Sequence, residues 1–208
     1  MLVAVALLSG CGGSSSAAAN VTRPRARAVV ASQLSLVVEP RAGVRPFTAR
    51  IASADHRVDL TMYELSDPTV ERALAAAAAR GVDARVALNG GYYSARCPYN
   101  DAAYAYLSAH HVHVRYTPTF FALTHQKTLT VDGDVSAIMT LNFDGRYASM
   151  PDYATLDRRS ADVRAIDDAF DDDWADRRDT PSDGSGDLVW SPRWRAPTHR
   201  ALLEFLAG

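Results

Sequence analysis

The chain has 208 residues, 48% of them hydrophobic, which is enough length and apolar content for one domain with a full core rather than two. Its formal net charge is −2 and its pI about 6.3, so it lacks the global basic field that gathers nucleic acid. A nuclease is disfavoured on that ground, although a local cationic cleft is compatible with the count.

Met1 to Leu8 form an apolar run that passes into Leu8-Ser9-Gly10-Cys11 and then a Gly/Ser stretch. The run is too short to span a bilayer. It resembles the lipobox of bacterial lipoprotein signals. That resemblance implies cleavage before Cys11, lipidation of its thiol, and a lipid-anchored protein on the extracytoplasmic face of the cytoplasmic membrane. Residues 1–11 are therefore expected to be the signal, and residues 12–34, rich in Ser, Ala and Arg without an apolar period, a tether. No basic residue precedes the apolar run, which points to a start site upstream of Met1. Cys97, the second cysteine, is expected as a free thiol beside Pro98.

From residue 36 onward, strand and helix signals alternate. A short strand at 36–38 precedes a helix over 46–54 with Pro46 in its first turn. Val58-Asp59-Leu60-Thr61-Met62-Tyr63 alternates as a strand, and Asp67-Pro68 opens a helix that reaches Arg80 and ends at Gly81. A strand at 83–88 leads into Asn89-Gly90-Gly91-Tyr92-Tyr93, either a surface turn or the kind of loop on which α/β proteins place substrate contacts. A helix over 100–109 and a strand over 112–116 follow. Thr128-Leu129-Thr130-Val131 then reads as a half-buried strand, Asp132-Gly133 as a turn, and Val135-Ser136-Ala137-Ile138-Met139 as the returning strand. A strand at 153–156 and a helix from Ser160 to Trp174 complete the series, which implies an α/β sheet covered on both faces.

Two polar groupings carry no metal signature. Asp171-Asp172-Asp173 reads as a solvated helix end, and His110, His111 and His113 lack further ligands at zinc spacing. No metal or other cofactor is expected.

The chain holds a single lysine, Lys127, against 21 arginines. Lysine is a compact point charge where arginine is a planar fork that needs room. His125 and Lys127, spaced i and i+2 on a strand, would face the same side and meet one phosphate together. The returning strand ends at Thr140-Leu141-Asn142, adding a hydroxyl and an amide nearby. His125, Lys127, Asp132, Thr140 and Asn142 match the signature His-x-Lys-x4-Asp followed by Gly-Ser/Thr-x-Asn, with Met139 in place of the glycine. In this the chain resembles the phospholipase D superfamily. The resemblance runs from about residue 36 to 174 and includes Met62-Tyr63-Glu64-Leu65-Ser66-Asp67, Thr124-His125-Gln126-Lys127 and Phe170-Asp171-Asp172-Asp173-Trp174.

The resemblance implies a phospholipase D-like sheet flanked by helices, and phosphodiester hydrolysis through a phosphohistidine. His125 would be nucleophile or acid/base, Lys127 and Asn142 would hold phosphoryl oxygens, and Thr140 would bind substrate. Asp132 would maintain the motif's hydrogen-bonded geometry, and Asp152 is the nearest match to the carboxylate that orients the histidine. Two such motifs meet at one phosphate in this superfamily, so one motif supplies half a site, completed by a homodimer or by a second half. Asp187-Leu188-Val189-Trp190-Ser191-Pro192 echoes Ser35-Leu36-Val37-Val38-Glu39-Pro40. The expected organisation is a domain over 35–180 and the start of a second, truncated repeat over 187–208, one half of a two-repeat architecture. The anchor places phospholipid headgroups first as substrate. A nuclease of the same superfamily and an inactive, anchored phosphate-binding half-domain are the alternatives.

Overall fold

The computed structural model describes residues 33–92, 95–96, 98–179, 181–182 and 184–190. The expected signal with Cys11, nearly all of the tether, Cys97 and residues 191–208 lie outside them.

The first half alternates strictly: β1 (Leu34–Val38), α1 (Arg45–Ala52), β2 (Arg57–Met62), α2 (Pro68–Ala79) and β3 (Asp83–Leu88). A two-stranded ribbon of β4 (Gly91–Tyr92) and β5 (Ala95–Arg96) separates these from α3 (Asp101–Ala109) and β6 (His113–Tyr116). The hairpin of β7 (Thr128–Val131) and β8 (Val135–Met139) follows, then β9 (Tyr153–Asp157) and α4 (Ser160–Trp174). Local chemistry sets the boundaries. The Asp67 carboxylate accepts from the Thr69 and Val70 N–H groups and so caps α2, and Pro68 occupies its first turn. Asp132 at φ +54° and Gly133 at φ +70° take the two left-handed positions of the hairpin turn.

Seven strands form one sheet in the order β1-β9-β8-β7-β2-β3-β6. β2, β3 and β6 are parallel, and the remaining neighbours pair antiparallel. The two faces of this sheet differ in kind. On one, Val58, Leu60 and Met62 of β2 pack with Phe47, Leu74 and Leu107 of the three covering helices, all fully buried. On the other, α4 covers polar side chains. Asp59 accepts from Arg85 Nε at 2.7 Å and pairs with Arg57 at 2.9 Å, while Arg85 and Arg57 reach Asp171 and Asp167 of α4, each at 2.8 Å. Thr130 and Ser136 exchange a hydroxyl hydrogen bond of 2.8 Å across the hairpin beneath the same helix.

That polar face corrects two sequence expectations. β7 is buried on both sides rather than half-buried, because the hydroxyl side that looked solvent-facing lies under α4. Asp171-Asp172-Asp173 is no solvated end either. Asp171 pairs with Arg85, Asp172 pairs with Arg177 at 2.7 Å, and burial together with Asp172 and Asp176 pushes the Asp173 carboxyl up to about 7. Residues 184–187 form a turn in which Asp187 pairs with Arg159, and 188–190 have no regular structure, with Trp190 Nε1 donating to Ser182 O at 2.7 Å. The second-repeat reading over 187–208 stays a proposal, and residues 191–208 lie outside the described residues.

Sheet directions bring the C-terminal ends of β1, β2, β3 and β8 and the N-terminal ends of β7 and β9 to one edge. The segments that carry His125, Lys127, Asn142 and Asp152 leave from this edge, and Asp132 lies at the opposite one.

Candidate active site

His125 and Lys127 lie in the extended segment that leads into β7 rather than within the strand itself. Lys127 O nevertheless accepts from Met139 N at 3.0 Å, so the hairpin pairing continues one step past the strand and fixes the lysine backbone. The Lys127 side chain is 4% exposed. Its Nζ turns back to donate to His125 O at 2.9 Å and sits 5.2 Å from the Tyr63 ring centroid. The same Tyr63 ring meets the exposed His125 imidazole edge-on at 4.6 Å. One aromatic ring therefore braces both members of the pair.

The loop after β2 and the one before β7 are tied together by two buried asparagines. Asn100 donates through Nδ2 to Tyr63 O at 2.8 Å and Asn89 O at 2.9 Å, and its Oδ1 accepts from Leu65 N at 2.9 Å. Asn89 Oδ1 in turn accepts from Thr124 N at 2.8 Å, one residue before His125. Gly90 follows Asn89 for a steric reason: a Cβ there would stand 2.9 Å from Tyr116 Cβ. Both asparagines are positioning residues; the sequence marked Asn89 only as part of a turn or substrate-contact loop and residue 100 only as a helix start, with no sign that the two meet.

Glu64 was also missed as a site residue, although its segment was part of the resemblance. It is 6% exposed and pairs with Arg146 at 3.0 Å; Arg146 also pairs with Asp144 at 2.6 Å. Its charge acts on both His125 and Lys127. Burial lowers the His125 imidazole, the neighbouring Lys127 charge lowers it further, and Glu64 opposes. Burial likewise brings the Lys127 ammonium down to about 8 against the opposing pull of Asp152 and Glu64. At neutral pH the pair thus presents a neutral imidazole beside a cation, the division of labour that nucleophilic attack on an anionic diester needs.

The remaining motif residues separate into two groups. Asn142 Oδ1 is shielded and has no hydrogen-bond partner among the described residues. Thr140, by contrast, is engaged: its hydroxyl donates to Asp152 Oδ1 at 2.6 Å and accepts from Tyr153 N at 2.9 Å, which locks Asp152 on the side from which its charge reaches Lys127. Asp132 lies at the other end of β7, roughly 16 Å from Lys127 along an extended chain. There its carboxylate accepts from the N–H groups of Asp55, His56 and Arg57 at 2.9, 2.8 and 2.8 Å.

Residues 47–174 match the family model described as cardiolipin synthase, PLD-like domain. The chain belongs to the phospholipase D-like family. No curated protein matches it in sequence. Among solved structures it is similar to the phospholipase D family member Nuc from Salmonella typhimurium, at 22% identity over 72% of this chain and 98% of that one, with a TM-score of 0.60. NucT from Helicobacter pylori aligns at 14% identity over 68% of this chain and 95% of that one, with a TM-score of 0.57. Polyphosphate kinase from Porphyromonas gingivalis aligns at 17% identity over 77% of this chain but 29% of its own, with a TM-score of 0.56. At these identities the likeness establishes a shared fold. Membership of the phospholipase D-like family makes phosphodiester chemistry the frame in which the His125–Lys127 pair is read.

The pair has a testable titration. His125 attacks only when neutral and Lys127 holds phosphate only when charged, so kcat/KM should rise as pH increases toward 6.5 and fall again above about 8. A rate that keeps rising through pH 9 on a soluble diester would mean that Lys127 is not the phosphate-holding cation.

Proposed function

We propose that this chain is the motif-bearing half of a phospholipase D-type phosphodiesterase that cleaves phospholipid headgroup esters through a phosphohistidine. The observation that carries the reading is the exposed, neutral His125 beside a buried Lys127 ammonium, with Asn142 on the segment that leaves the paired strand β8 at the same end. A ring nitrogen of His125 forms the bond to phosphorus as the ester bond to the leaving alcohol breaks. Lys127 and Asn142 carry the charge on the phosphoryl oxygens. The alcohol takes its proton from a second acid, which later draws a proton from the water that cleaves the phosphohistidine. This chain supplies one His-x-Lys, so the second acid is assigned to a second motif, in a homodimer or in a further half.

Phospholipid is preferred because a cleft of about 710 Å³ opens beside Thr124, lined by Phe120, Phe121 and Leu123. An acyl-bearing glycerol suits such a wall. The proposed anchor at Cys11 would hold the site against a bilayer surface. Nucleic acid is the second reading, favoured by the Phe120 and Phe121 rings, which are of the type that stacks on unpaired bases. Turnover of phospholipid vesicles against single-stranded DNA, each measured across a salt series, separates the two: cleavage restricted to DNA with a steep salt dependence would remove the lipid reading. Binding of phosphate with no turnover in any assembly state would leave the inert half-domain.

Among the described residues no three His, Cys, Asp or Glu side chains are grouped to hold a metal ion. Protein cations face the phosphate instead, so turnover should persist in excess EDTA. A strict divalent requirement in the chemical step would overturn the phosphohistidine route.

A further inference from the structure

Glu64 stands where two segments of the site meet. β2 and β7 pair antiparallel as far as Thr61 and Thr128, and the same register carried past the strands sets Glu64 across from His125. The 4.6 Å contact between the Tyr63 and His125 rings shows that the two segments stay side by side there. From the other direction, Phe143 O accepts from Ser66 N at 2.8 Å and from Asp67 N at 2.9 Å, which ties the Glu64 loop to the segment that leaves β8.

A carboxylate buried at such a junction needs a counter-charge. Arg146 supplies it. Glu64 Oε2 accepts from Arg146 Nη2 at 3.0 Å, and the guanidinium is itself gripped by Asp144 Oδ2 at 2.6 Å and lies over the rings of Tyr99 and Tyr147, 5.3 and 5.4 Å from their centroids. Tyr147 is a further titratable neighbour, and the Glu64 charge raises its phenol. The Arg146 side chain is 52% exposed, so solvent screens its field and it offsets the buried anion only in part. The surplus is felt inside the site. Against burial, which lowers both groups, Glu64 pulls His125 and Lys127 upward, whereas Asp152 is spent on the Thr140 hydroxyl and on Lys127.

We infer that Glu64 is a positioning residue for the His125–Lys127 pair, the carboxylate that steadies both, and that the Arg146 arm sets how much of its charge they feel. The inference rests on the phosphodiesterase reading of that pair and adds a residue that lies outside the His-x-Lys spacing. When one ring nitrogen of His125 bonds to phosphorus while the other keeps its proton, the imidazole becomes cationic, and a carboxylate held across from it stabilises that charge.

Titration of the full chain by NMR reads this without turnover. Lys127 is the single lysine, so lysine labelled at Cε gives one signal, and the His125 signal among six histidines is assigned by its loss in His125→Asn. Glu64→Gln should move both midpoints to lower pH, because it deletes a charge that raises both. Arg146→Met should move both to higher pH, because it unmasks that charge. In the double variant the Arg146 effect should be largely lost; a shift of full size there would mean that Arg146 acts on the pair directly and would overturn its part. Folded variants whose His125 and Lys127 midpoints stay at the wild-type values, however far their urea midpoints move, would reduce Glu64 to a structural ion pair and overturn the inference. If Glu64→Gln does not fold, Arg146→Met at its exposed position decides alone, and no rise in either midpoint has the same meaning. Inorganic phosphate tests the reading beneath: a Lys127 signal that responds to Glu64→Gln but not to phosphate removes the phosphodiesterase reading while the Glu64 coupling stands. In an active assembly, Glu64→Gln should lower kcat on a soluble diester by about tenfold or more with KM within about threefold, and the whole pH profile should move to the acid side.

Discussion

Replacing Lys127 with arginine is expected to lower kcat/KM on a soluble phosphodiester by about 10²–10³-fold, the loss seen when one preorganised donor to a developing charge is misplaced. The charge is conserved in this variant, so the effect must come from shape. Nζ occupies a point between the His125 carbonyl and the Tyr63 ring in a side chain that is 4% exposed, and a planar guanidinium has no room there to keep both contacts. Arginine also does not titrate in the working range, so the fall in rate above about pH 8 should disappear together with most of the rate. His125→Asn removes the attacking nitrogen and should cost on the order of 10⁵-fold or more, as loss of a nucleophile does elsewhere. His125→Asn, at an exposed position, should unfold near the wild-type urea midpoint, whereas Lys127→Arg, crowded into a buried slot, should lose about 1–3 kcal/mol of stability and still fold. If Lys127→Arg retains a rate within about threefold of wild type in an otherwise active assembly, the single lysine has no special part in the chemistry.

The hairpin, its turn and α4 were legible because their signals are local. Strand alternation, the Asp132-Gly133 pair and the run from Ser160 to Trp174 each specify structure within a few residues. His125, Lys127 and Asn142 were legible through a fixed spacing that the hairpin register explains: Thr128 pairs with Ile138, so the residues just outside the two strands meet at one end. The tying role of Asn89 and Asn100 and the part of Glu64 escaped because they depend on partners 11 to 82 positions away, which no spacing encodes. The same holds for Asp171, whose partner Arg85 lies on β3. Charge type can be read from a sequence, but whether a charge is solvated or paired beneath a helix is settled only by packing. Thr140 shows the converse. Its position in the motif suggested substrate contact, yet its hydroxyl is spent on Asp152 and the start of β9.

Asp132→Ala should separate the motif's chemistry from its architecture. The carboxylate gathers three consecutive backbone N–H groups at the turn before β2, and their partners disappear together in the variant. Hydrogen bonds to a charged acceptor contribute about 1.5–3 kcal/mol each in favourable settings, but these donors are partly exposed and water replaces some of the loss. A further ~1 kcal/mol follows from placing alanine at φ +54°, where aspartate and asparagine are better tolerated. The sum should be a loss of about 2–4 kcal/mol in urea unfolding at pH 7. Asp132→Asn should recover part of it, because the left-handed preference and one acceptor remain. Acid pH supplies an independent check. Desolvation would raise the Asp132 carboxyl, but the N–H donors of Asp55, Arg57 and His56 outweigh it and hold the group below its usual value. A depressed carboxylate contributes stability that is fully present above its unfolded value of about 3.9 and is lost as pH falls through the lower folded one. The gap between wild type and Asp132→Ala should therefore narrow steadily below pH 4. A gap that is constant from pH 7 to pH 2, or a variant as stable as wild type but catalytically dead, would return Asp132 from the scaffold to the chemistry.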